Sequence, residues 1–529
     1  MRYDIDSFCI LKWRIKGMPI TELLEANAKK YPNEVSLVEI NPDIQEKRRV
    51  TWRDYELIES SPMCHYRREI TWHVFDEKAN RFAQLLISRG IGKGDKVAIL
   101  LMNCLEWLPI YFGILKTGAI AVPFNFRFSA DEIQYCADLA QVHILFFGSE
   151  FIGRIESIAD ELQKGRLLIY VGDGCPTFAE SYRELVADCS SQAPLVRLEE
   201  EDDAAIYFSS GTTGFPKAIL HNHESLSQAA QMEQKHHLPS RDDVFLCIPP
   251  LYHTGAKFHW MGSLYAGSKA VLLKGTTPEI ILDAVSKEQC TIVWLLVPWA
   301  QDILVELDSG RLKPDDYELS QWRLMHIGAQ PVPQSLIRRW KEYFPNHQYD
   351  TNYGLSESIG PGCVHLGVEN IHKVGAIGIP GYGWEAKIID TDGNEVKQGE
   401  VGELAVKGPG VMKCYYNDEE ATKEAFTDDG WFKTGDYGYL DKDEFLFVTG
   451  RKKDIIVLRN GKNVYPQEIE FLINELPYVK ESLVYQRGQD KTDTMLCAKI
   501  VYDPELIEKE FGKGTEEEYQ NKIWEEIKK

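Results

Sequence analysis

The stretch that decides the fold is Ala205-Ile-Tyr-Phe-Ser-Ser-Gly-Thr-Thr-Gly-Phe-Pro-Lys-Ala-Ile-Leu220. An apolar run leads into two serines, two threonines and two glycines, and a second apolar run follows Lys217. Hydroxyl and backbone N–H groups donate to phosphate oxygens, glycines let the backbone come close, and a lysine adds positive charge. The stretch therefore predicts a phosphate-binding loop that follows a buried strand.

The loop does not have the Walker A spacing G-x-x-x-x-G-K-[ST]. For its composition alone, a flexible surface loop rich in serine and glycine is the competing interpretation. The apolar strand before Ser209 and the Pro-Lys pair that ends at Lys217 favour phosphate binding.

Short apolar runs alternate with amphipathic stretches on both sides of this loop. Such alternation predicts βαβ units, buried mostly parallel sheets and an α/β fold. The runs are Lys96–Leu101, Gly118–Pro123, Ile144–Phe147, Leu167–Val171, Val271–Leu273 and Ile292–Leu296.

From about Gly378 the sequence changes to short strand-like segments separated by turn residues. This pattern predicts an antiparallel β element, a distorted barrel, that completes a large domain. Its predicted strands are Trp384–Asp390, Gly402–Lys407 and Asp443–Val448. We expect a large domain of two α/β subdomains at 1–449, a hinge at 450–454, and a small mobile α+β domain at 455–529. The small domain is expected to begin with a strand and a helix near Pro466 and to be incomplete.

Charge and cysteine content exclude several classes of protein. The 529 residues carry 59 Lys and Arg against 81 Asp and Glu, a net charge of −22, which disfavours nucleic acid and anionic membrane as partners. The 11 cysteines are scattered and never spaced C-x-x-C, so we interpret them as reduced core thiols of a cytoplasmic protein.

No membrane span and no signal peptide are expected. The most apolar region, Val97–Val122, is interrupted by Glu106, Pro109 and Lys116, so a buried strand followed by a core helix explains it better. A local echo between Val50–Tyr55 and Ile70–Phe75 suggests an insertion between them.

The loop resembles the signature of the adenylate-forming superfamily, which includes acyl-CoA synthetases, peptide-synthetase adenylation domains and beetle luciferases. Further matches follow in the order of that family and extend from about Gly17 to the end of the chain. They are Pro250–Gly255, Gly328–Pro331, Asn352–Glu357, Gly399–Leu404, Gly408–Asn417, Trp431–Asp436, Gly450–Arg451 and Asn460–Ile469.

The resemblance implies a role for each part of an ATP site. Glu357 would hold Mg²⁺, which helps a carboxylate attack the α-phosphorus of ATP while pyrophosphate leaves. Tyr353 would stack on adenine, Asn352 would meet its exocyclic amine, and Asp436 would accept the ribose hydroxyls. Read without their motifs, these residues could instead be core, a turn or a helix cap. Residues expected to take part in the chemistry are Thr212, Lys217, His253, Glu357 and Arg451.

Binding of ATP and coenzyme A is expected to involve a larger set. Its members are Ser209, Ser210, Gly211, Thr212, Thr213, Gly214, Lys217, Gly328, Ala329, Gln330, Asn352, Tyr353, Gly354, Ser356, Asp436, Arg451 and Gly461. Gly461 would border the pantetheine tunnel, and Lys453 would lie at the hinge about which the small domain rotates between the two half-reactions.

Two departures from the family pattern stand out. The lysine that the family carries near its C-terminus has no counterpart before Lys529, so we expect the sequence to be cut short. Lys257 lies in a region that leads into the acyl pocket, and we expect it to face solvent, with a polar acyl tail as the alternative. His253 is the better pocket candidate, and Trp260, Trp299, Ser358 and Gly360 are expected to shape the pocket.

The sequence thus predicts an AMP-forming acyl-CoA synthetase that uses ATP, Mg²⁺ and coenzyme A. A medium- or long-chain fatty acid is the preferred substrate and an aryl acid the next. A standalone adenylation domain and a non-enzymatic nucleotide-binding relative are the alternatives. The oligomeric state stays open, with a dimer as one option.

Overall fold

The computed structural model describes residues 18–43, 66–209, 216–458, 463–487 and 495–528, and the helices and strands below lie within those ranges. The helices are α1 (Thr21–Lys30), α2 (Trp72–Ser88), α3 (Trp107–Lys116), α4 (Ala130–Leu139), α5 (Ile152–Glu156), α6 (Ala159–Leu162), α7 (Tyr182–Ala187), α8 (His223–His237), α9 (Thr254–Ala266), α10 (Pro278–Glu288), α11 (Val297–Asp308), α12 (Gln334–Tyr343), α13 (Glu419–Ala425), α14 (Pro466–Asn474), α15 (Pro504–Phe511) and α16 (Glu516–Ile527).

The strands are short and most are buried. They are β1 (Val35–Ile40), β2 (Arg67–Thr71), β3 (Lys96–Leu100), β4 (Ile120–Pro123), β5 (Ile144–Gly148), β6 (Leu167–Val171), β7 (Glu180–Ser181), β8 (Asp203–Ser209), β9 (Lys217–Asn222), β10 (Val244–Cys247), β11 (Lys269–Leu273), β12 (Ile292–Leu296), β13 (Leu324–Gly328), β14 (Gln348–Asp350), β15 (Asn352–Leu355), β16 (Gly360–His365), β17 (Ile379–Pro380), β18 (Glu385–Ile389), β19 (Gly402–Lys407), β20 (Cys414–Tyr415), β21 (Phe432–Leu440), β22 (Leu446–Arg451), β23 (Ile456–Val457), β24 (Asn463–Val464), β25 (Val479–Arg487) and β26 (Met495–Tyr502).

Two large sheets form the α/β body, as the alternating apolar runs predict. One has the order β20-β9-β8-β4-β3-β5-β6-β7 and the other β14-β13-β12-β10-β11-β1-β2. Neighbours in the centre of each sheet are parallel, and the antiparallel pairs lie toward the edges. Helix α3 is buried along its whole length, which confirms the predicted core helix between two strands.

The antiparallel element predicted from Gly378 onward is present, and a smaller antiparallel sheet, which was not predicted, begins before it at Asn352. Strands β18, β19, β21 and β22 form a four-stranded antiparallel sheet, and β15, β16 and β17 form a smaller one. Strand β22 begins at Leu446, later than the predicted Asp443. The reason is a turn in which the Asp441 carboxylate accepts the N–H groups of Asp443 and Phe445, both at 2.9 Å.

The C-terminal elements have a core of their own. The hairpin β25–β26 packs with α14, α15 and α16 around buried residues that include Ile473, Ile507 and Ile523. Helix α14 begins at Pro466, as predicted. Of the predicted hinge, Gly450 and Arg451 are the last residues of β22, and residues 452–454 form a short 3-10 turn.

Some expectations fall outside the described residues or need correction. The first copy of the echo, Val50–Tyr55, lies outside them. Cys104, Cys136, Cys247 and Cys290 are buried, but Cys175 is exposed, so the description of the cysteines as core thiols is wrong there. Within the described ranges, no helix is long and apolar enough to cross a membrane.

A buried ion cluster joins the edge of the second sheet to the start of α3. The Arg68 guanidinium donates to both carboxylate oxygens of Glu106, at 2.7 and 2.9 Å, and contacts Glu39. All three side chains are almost fully buried, and burial raises the pKa of Glu39. Removing one partner of such a cluster leaves charge buried without compensation.

Arg68→Met is expected to lower the free energy of unfolding by about 3–5 kcal/mol, because two buried carboxylates then face each other. Urea denaturation of the whole chain measures this. Arg89→Met is the control, because Arg89 pairs with Glu180 in a half-exposed bridge that should contribute about 1 kcal/mol or less. Equal losses in the two variants would contradict the prediction.

Candidate active site

One large cavity collects most of the predicted residues. It has a volume of about 930 Å³, is lined from both α/β sheets and the antiparallel element, and is reached by Gln467 at the start of α14. The predicted residues that line it are Ser209, Lys217, His253, Gly328, Ala329, Gln330, Asn352, Tyr353, Gly354, Ser356, Glu357, Gly360, Asp436, Arg451 and Lys453.

The β8–β9 hairpin carries the phosphate-binding loop to this cavity. The two strands are antiparallel and end on the pair Ser209 and Lys217, both of which line the cavity. The Lys217 ammonium lies 4.7 Å from the centre of the Tyr415 ring. The predicted residues Ser210, Gly211, Thr212, Thr213, Gly214 and Gly461 lie outside the described residues.

Glu357 lies next to the end of β8, where Ser209 contacts it. Its Oε1 accepts the hydroxyls of Ser209 at 3.1 Å and Tyr415 at 2.9 Å, and the side chain is largely buried. Burial, together with the Glu357 charge, raises the pKa of Tyr415, so that residue stays a hydroxyl donor. Among the described residues no donor contacts Oε2, which leaves one carboxylate oxygen for a ligand.

Asp436 lies between an aromatic ring and a cation. Strand register pairs Asp436 on β21 with Arg451 on β22, and the Arg451 Nε lies 2.8 Å from Asp436 Oδ1. The Tyr353 hydroxyl donates to Oδ2. Burial raises the pKa of the Asp436 carboxyl, and Arg451 opposes that rise. The Asp436 carboxylate is thus a hydrogen-bond acceptor that lies next to both an aromatic ring, Tyr353, and a cation, Arg451.

The opposite wall is formed by backbone and a polar amide. Strand β13 ends at Gly328, and Ala329 follows in the left-handed region with φ of 66°. Alanine rarely adopts this conformation, and such strain is concentrated at functional sites. Both side-chain polar atoms of Asn352 are buried without a hydrogen-bond partner among the described residues. A buried amide of this kind needs a ligand to satisfy it.

The far end of the cavity is aromatic, and the sequence did not reveal it. Trp294 and His326, on β12 and β13, line it together with Tyr252 and His253. The His253 ring accepts the Gly255 N–H at 3.2 Å and caps α9, and burial, helped by the Lys257 charge, lowers the pKa of His253 to about 4. No sequence signal marks Trp294 or His326, since each lies in an apolar strand. Tyr415 could have been found, because it lies inside the matched segment Gly408–Asn417.

Several predictions about the acyl pocket are wrong. Within the described part of the chain, Trp260, Trp299 and Ser358 do not line the cavity. Trp260 packs in the core against Phe75 and Phe112 instead.

Lys257, expected to face solvent, is buried. Its Nζ donates to the carbonyls of Leu251 and Tyr252 at 2.7 and 3.2 Å, and lies 4.3 Å from the centre of the Tyr207 ring. Burial lowers the pKa of Lys257 well below its usual value. The Lys257 ammonium is therefore surrounded by backbone carbonyls and aromatic rings, and not by the water that was expected.

Comparison with known proteins shows the family to which the chain belongs. The profile of the AMP-binding enzyme family matches residues 24–416, and the chain belongs to that family. It is 30% identical over 434 residues to the long-chain-fatty-acid–CoA ligase FadD13 of Mycobacterium tuberculosis, covering 80% of this chain and 82% of the relative. It is 32% identical over 442 residues to 4-coumarate–CoA ligase 3 of Oryza sativa, covering 80% and 77%.

A solved structure shares the fold. The anthranilate CoA ligase AuaEII in complex with anthranoyl-AMP matches with a TM-score of 0.82 and 24% identity, over 96% of this chain and 90% of that one. Family and relatives together make this chain an acid–thiol ligase, a CoA ligase that uses ATP and coenzyme A.

Proposed function

We propose that the chain activates a carboxylic acid in two steps at this single cavity. The acid first attacks the α-phosphorus of ATP, giving an acyl-adenylate and pyrophosphate. The thiol of coenzyme A then attacks the acyl carbon, giving the acyl-CoA and AMP. The observation that carries the proposal is the meeting of Lys217, Glu357, Asp436 and Arg451 around one cavity at the end of the β8–β9 hairpin.

We assign the nucleotide to the side of the cavity that holds Asp436. Asp436 accepts the ribose hydroxyls, Tyr353 offers its ring to adenine, and Asn352 supplies the unsatisfied amide that a base can bond. Lys217 and Arg451 point positive charge at the phosphates, where charge develops as pyrophosphate leaves. Ser209, with the loop at 210–215, supplies further donors.

Glu357 fits a Mg²⁺ ion by the chemistry of its donors. Mg²⁺ prefers hard carboxylate oxygens and keeps several waters, and Glu357 offers Oε2 while Oε1 is held by two hydroxyls. When bound, the ion neutralises phosphate charge during the displacement. We therefore propose that the position of the Mg²⁺ ion is set by Glu357, which the hydroxyls of Ser209 and Tyr415 hold in place.

The second step is proposed to use a rotation of the C-terminal elements. The turn at residues 452–454, with Lys452 and Lys453 on the cavity wall, is the proposed pivot, and Gly461 is the proposed border of the pantetheine path. Rotation of the C-terminal elements would remove the residues that face the α-phosphate in the first step and open a path for the thiol of coenzyme A. Closure of the cavity would keep water away from the acyl-adenylate.

The geometry of the acyl end supports an aryl acid best. Trp294 lies so close to Gly255 that an added Cβ there would come within 2.6 Å of the indole ring. Behind Trp294 and His326 lies packed protein, with the His259 ring 4.8 Å from Trp294. A short aromatic pocket fits a flat acid such as the substrate named for the 4-coumarate–CoA ligase. A fatty acid is the second candidate, because the FadD13 relative is equally similar.

Trp294→Ala is expected to shift preference from aryl to longer aliphatic acids by about 10–100-fold in the ratio of kcat/KM values, because removing the indole lengthens the pocket. Pyrophosphate release with a benzoate, a cinnamate-type acid, hexanoate and palmitate measures it. Trp299→Ala is the matched control, since Trp299 is five residues further along the chain and packs against the core outside the described cavity lining. An unchanged ratio in Trp294→Ala would contradict the short-pocket assignment.

The overall reaction is tested with the same panel of acids and Mg-ATP, with and without coenzyme A. Formation of acyl-CoA that depends on both ATP and coenzyme A supports the proposal. Failure of every acid to release pyrophosphate would overturn it.

A further inference from the structure

A cluster of ligand-type side chains lies behind the acyl end of the cavity and has no part in the proposed reaction. The histidine cluster consists of Glu233 and His237 on α8, His259 on α9, His326 on β13 and Asp350 on β14. Each of the five residues is at most 2% exposed. The rings of His259 and His326 are 4.3 Å apart, and His326 reaches the cavity wall.

We propose that Glu233, His237 and His259 bind a divalent transition-metal ion of the Zn²⁺ type. One ligand atom from each of the three lies within 4.8 Å of the other two. Glu233 Oε1 is 2.8 Å from His237 Nδ1 and 3.2 Å from His259 Nδ1. Two ligands of a tetrahedral Zn²⁺, each about 2.0–2.1 Å from the ion, lie about 3.3 Å apart, so small shifts suffice.

Unsatisfied atoms distinguish this set from an ordinary buried ion pair. Glu233 Oε2 and His259 Nε2 are buried with no hydrogen-bond partner among the described residues, and His259 Nδ1 has the Glu233 contact at 3.2 Å. Buried polar atoms in native proteins are nearly always bonded, so two such atoms at one place indicate a missing ligand. A carboxylate and two imidazoles are the ligand types of known His₂Glu zinc sites.

Asp350 is better placed as an outer partner than as a ligand. Its Oδ1 accepts the N–H groups of Thr351 and Gly367 at 2.8 and 2.9 Å, and its Oδ2 accepts His237 Nε2 at 2.8 Å. His365 contacts the same oxygen. A histidine that binds a metal through one nitrogen commonly donates the other N–H to a carboxylate, which fixes the tautomer. His237 has this arrangement, with Nδ1 turned to Glu233.

The charges of the buried carboxylates also favour a bound divalent cation. The cluster buries two carboxylates, and the ionisable side chains that contact them are histidines. A divalent ion with neutral histidine ligands would compensate Glu233 and Asp350 completely, whereas buried charge without compensation is costly. The metal-free alternative is an imidazolium at His237 between the two carboxylates, which leaves Glu233 Oε2 and His259 Nε2 without a partner among the described residues.

The ion would have a structural role. It would tie α8 to α9 directly behind Trp294 and His326, and so hold the end wall of the acyl pocket. It would be distinct from the ion proposed at Glu357, which lies on the nucleotide side of the cavity.

The test measures metal bound to the full chain. The protein is purified without chelator, stripped, reloaded with Zn²⁺ and dialysed, and zinc per chain is measured by mass spectrometry. His259→Gln is the test variant. His223→Gln is the matched control, because His223 is also on α8 and fully buried, and its two ring nitrogens have no hydrogen-bond partner among the described residues, but it lies outside the cluster. Glu357→Gln removes any zinc held at the nucleotide side.

We expect one zinc per chain in wild type, His223→Gln and Glu357→Gln, and at least about 10-fold weaker zinc binding in His259→Gln. Zinc that is absent from the wild type, unchanged in His259→Gln, or lost in Glu357→Gln would overturn the proposal. Circular dichroism checks that His259→Gln is folded.

A second measurement does not depend on the variant. Wild-type chain loaded with Co²⁺ should show the intense visible absorption of a four-coordinate ion. A weak six-coordinate spectrum would overturn the assignment even if His259→Gln failed to fold.

Discussion

Replacing Glu357 by glutamine is expected to lower the rate of pyrophosphate release by about 100–1,000-fold, the scale at which one electrostatic group stabilises a transition state. The amide keeps the size of the side chain but loses the charge that is proposed to hold Mg²⁺. The rate is measured over a titration of Mg²⁺ at saturating ATP and acid. The defect should lessen as Mg²⁺ rises, because weaker binding is partly offset by mass action.

Tyr415→Phe is the matched control for this experiment. It removes one hydroxyl that Glu357 Oε1 accepts and leaves the carboxylate in place. We expect a loss of about 10-fold, the lower end of the range for removing a group that orients a metal ligand, because the carboxylate and its bond from Ser209 remain. If Glu357→Gln releases pyrophosphate at a rate within about threefold of the wild type at physiological salt, Glu357 does not hold the proposed Mg²⁺ ion.

Asp436→Ala is expected to raise the KM for ATP by about 100–10,000-fold, because two charge-assisted hydrogen bonds to ribose are lost at about 1.5–3 kcal/mol each. The loss also leaves Arg451 without its partner at 2.8 Å. Pyrophosphate release at varied ATP measures the KM, and calorimetric titration with AMP measures binding without turnover.

Asp441→Asn controls for removal of an acidic residue from the same hairpin. Asp441 follows β21 directly but bonds Lys373 at 2.6 Å, away from the described cavity lining. Its KM for ATP should stay within about threefold of wild type, because asparagine keeps the oxygen that accepts the N–H groups of Asp443 and Phe445 and the residue lies outside the described cavity lining. If AMP binds Asp436→Ala as tightly as the wild type, Asp436 does not hold the ribose.

Much of the architecture could be predicted from local sequence. Leu167–Val171, Ile292–Leu296 and Gly402–Lys407 are strands with the predicted bounds, and α14 begins at the predicted Pro466. Apolar runs and turn residues act over a few neighbours, so periodicity alone predicts them. The predicted start of β22 was wrong by three residues, because a side chain at Asp441 competes with the ladder for backbone N–H groups.

The sequence by itself determined the α/β class and the family, and it proposed the members of the nucleotide site, because their residues lie in short ordered segments such as Asn352–Glu357. The tertiary structure alone decided what surrounds Lys257, which residues line the aromatic end of the cavity, and where the histidine cluster forms. Trp294 and His326 come from different strands, and Glu233 and Asp350 are 117 positions apart in the chain. Contacts between such distant residues depend on strand register and helix packing, which no local pattern encodes.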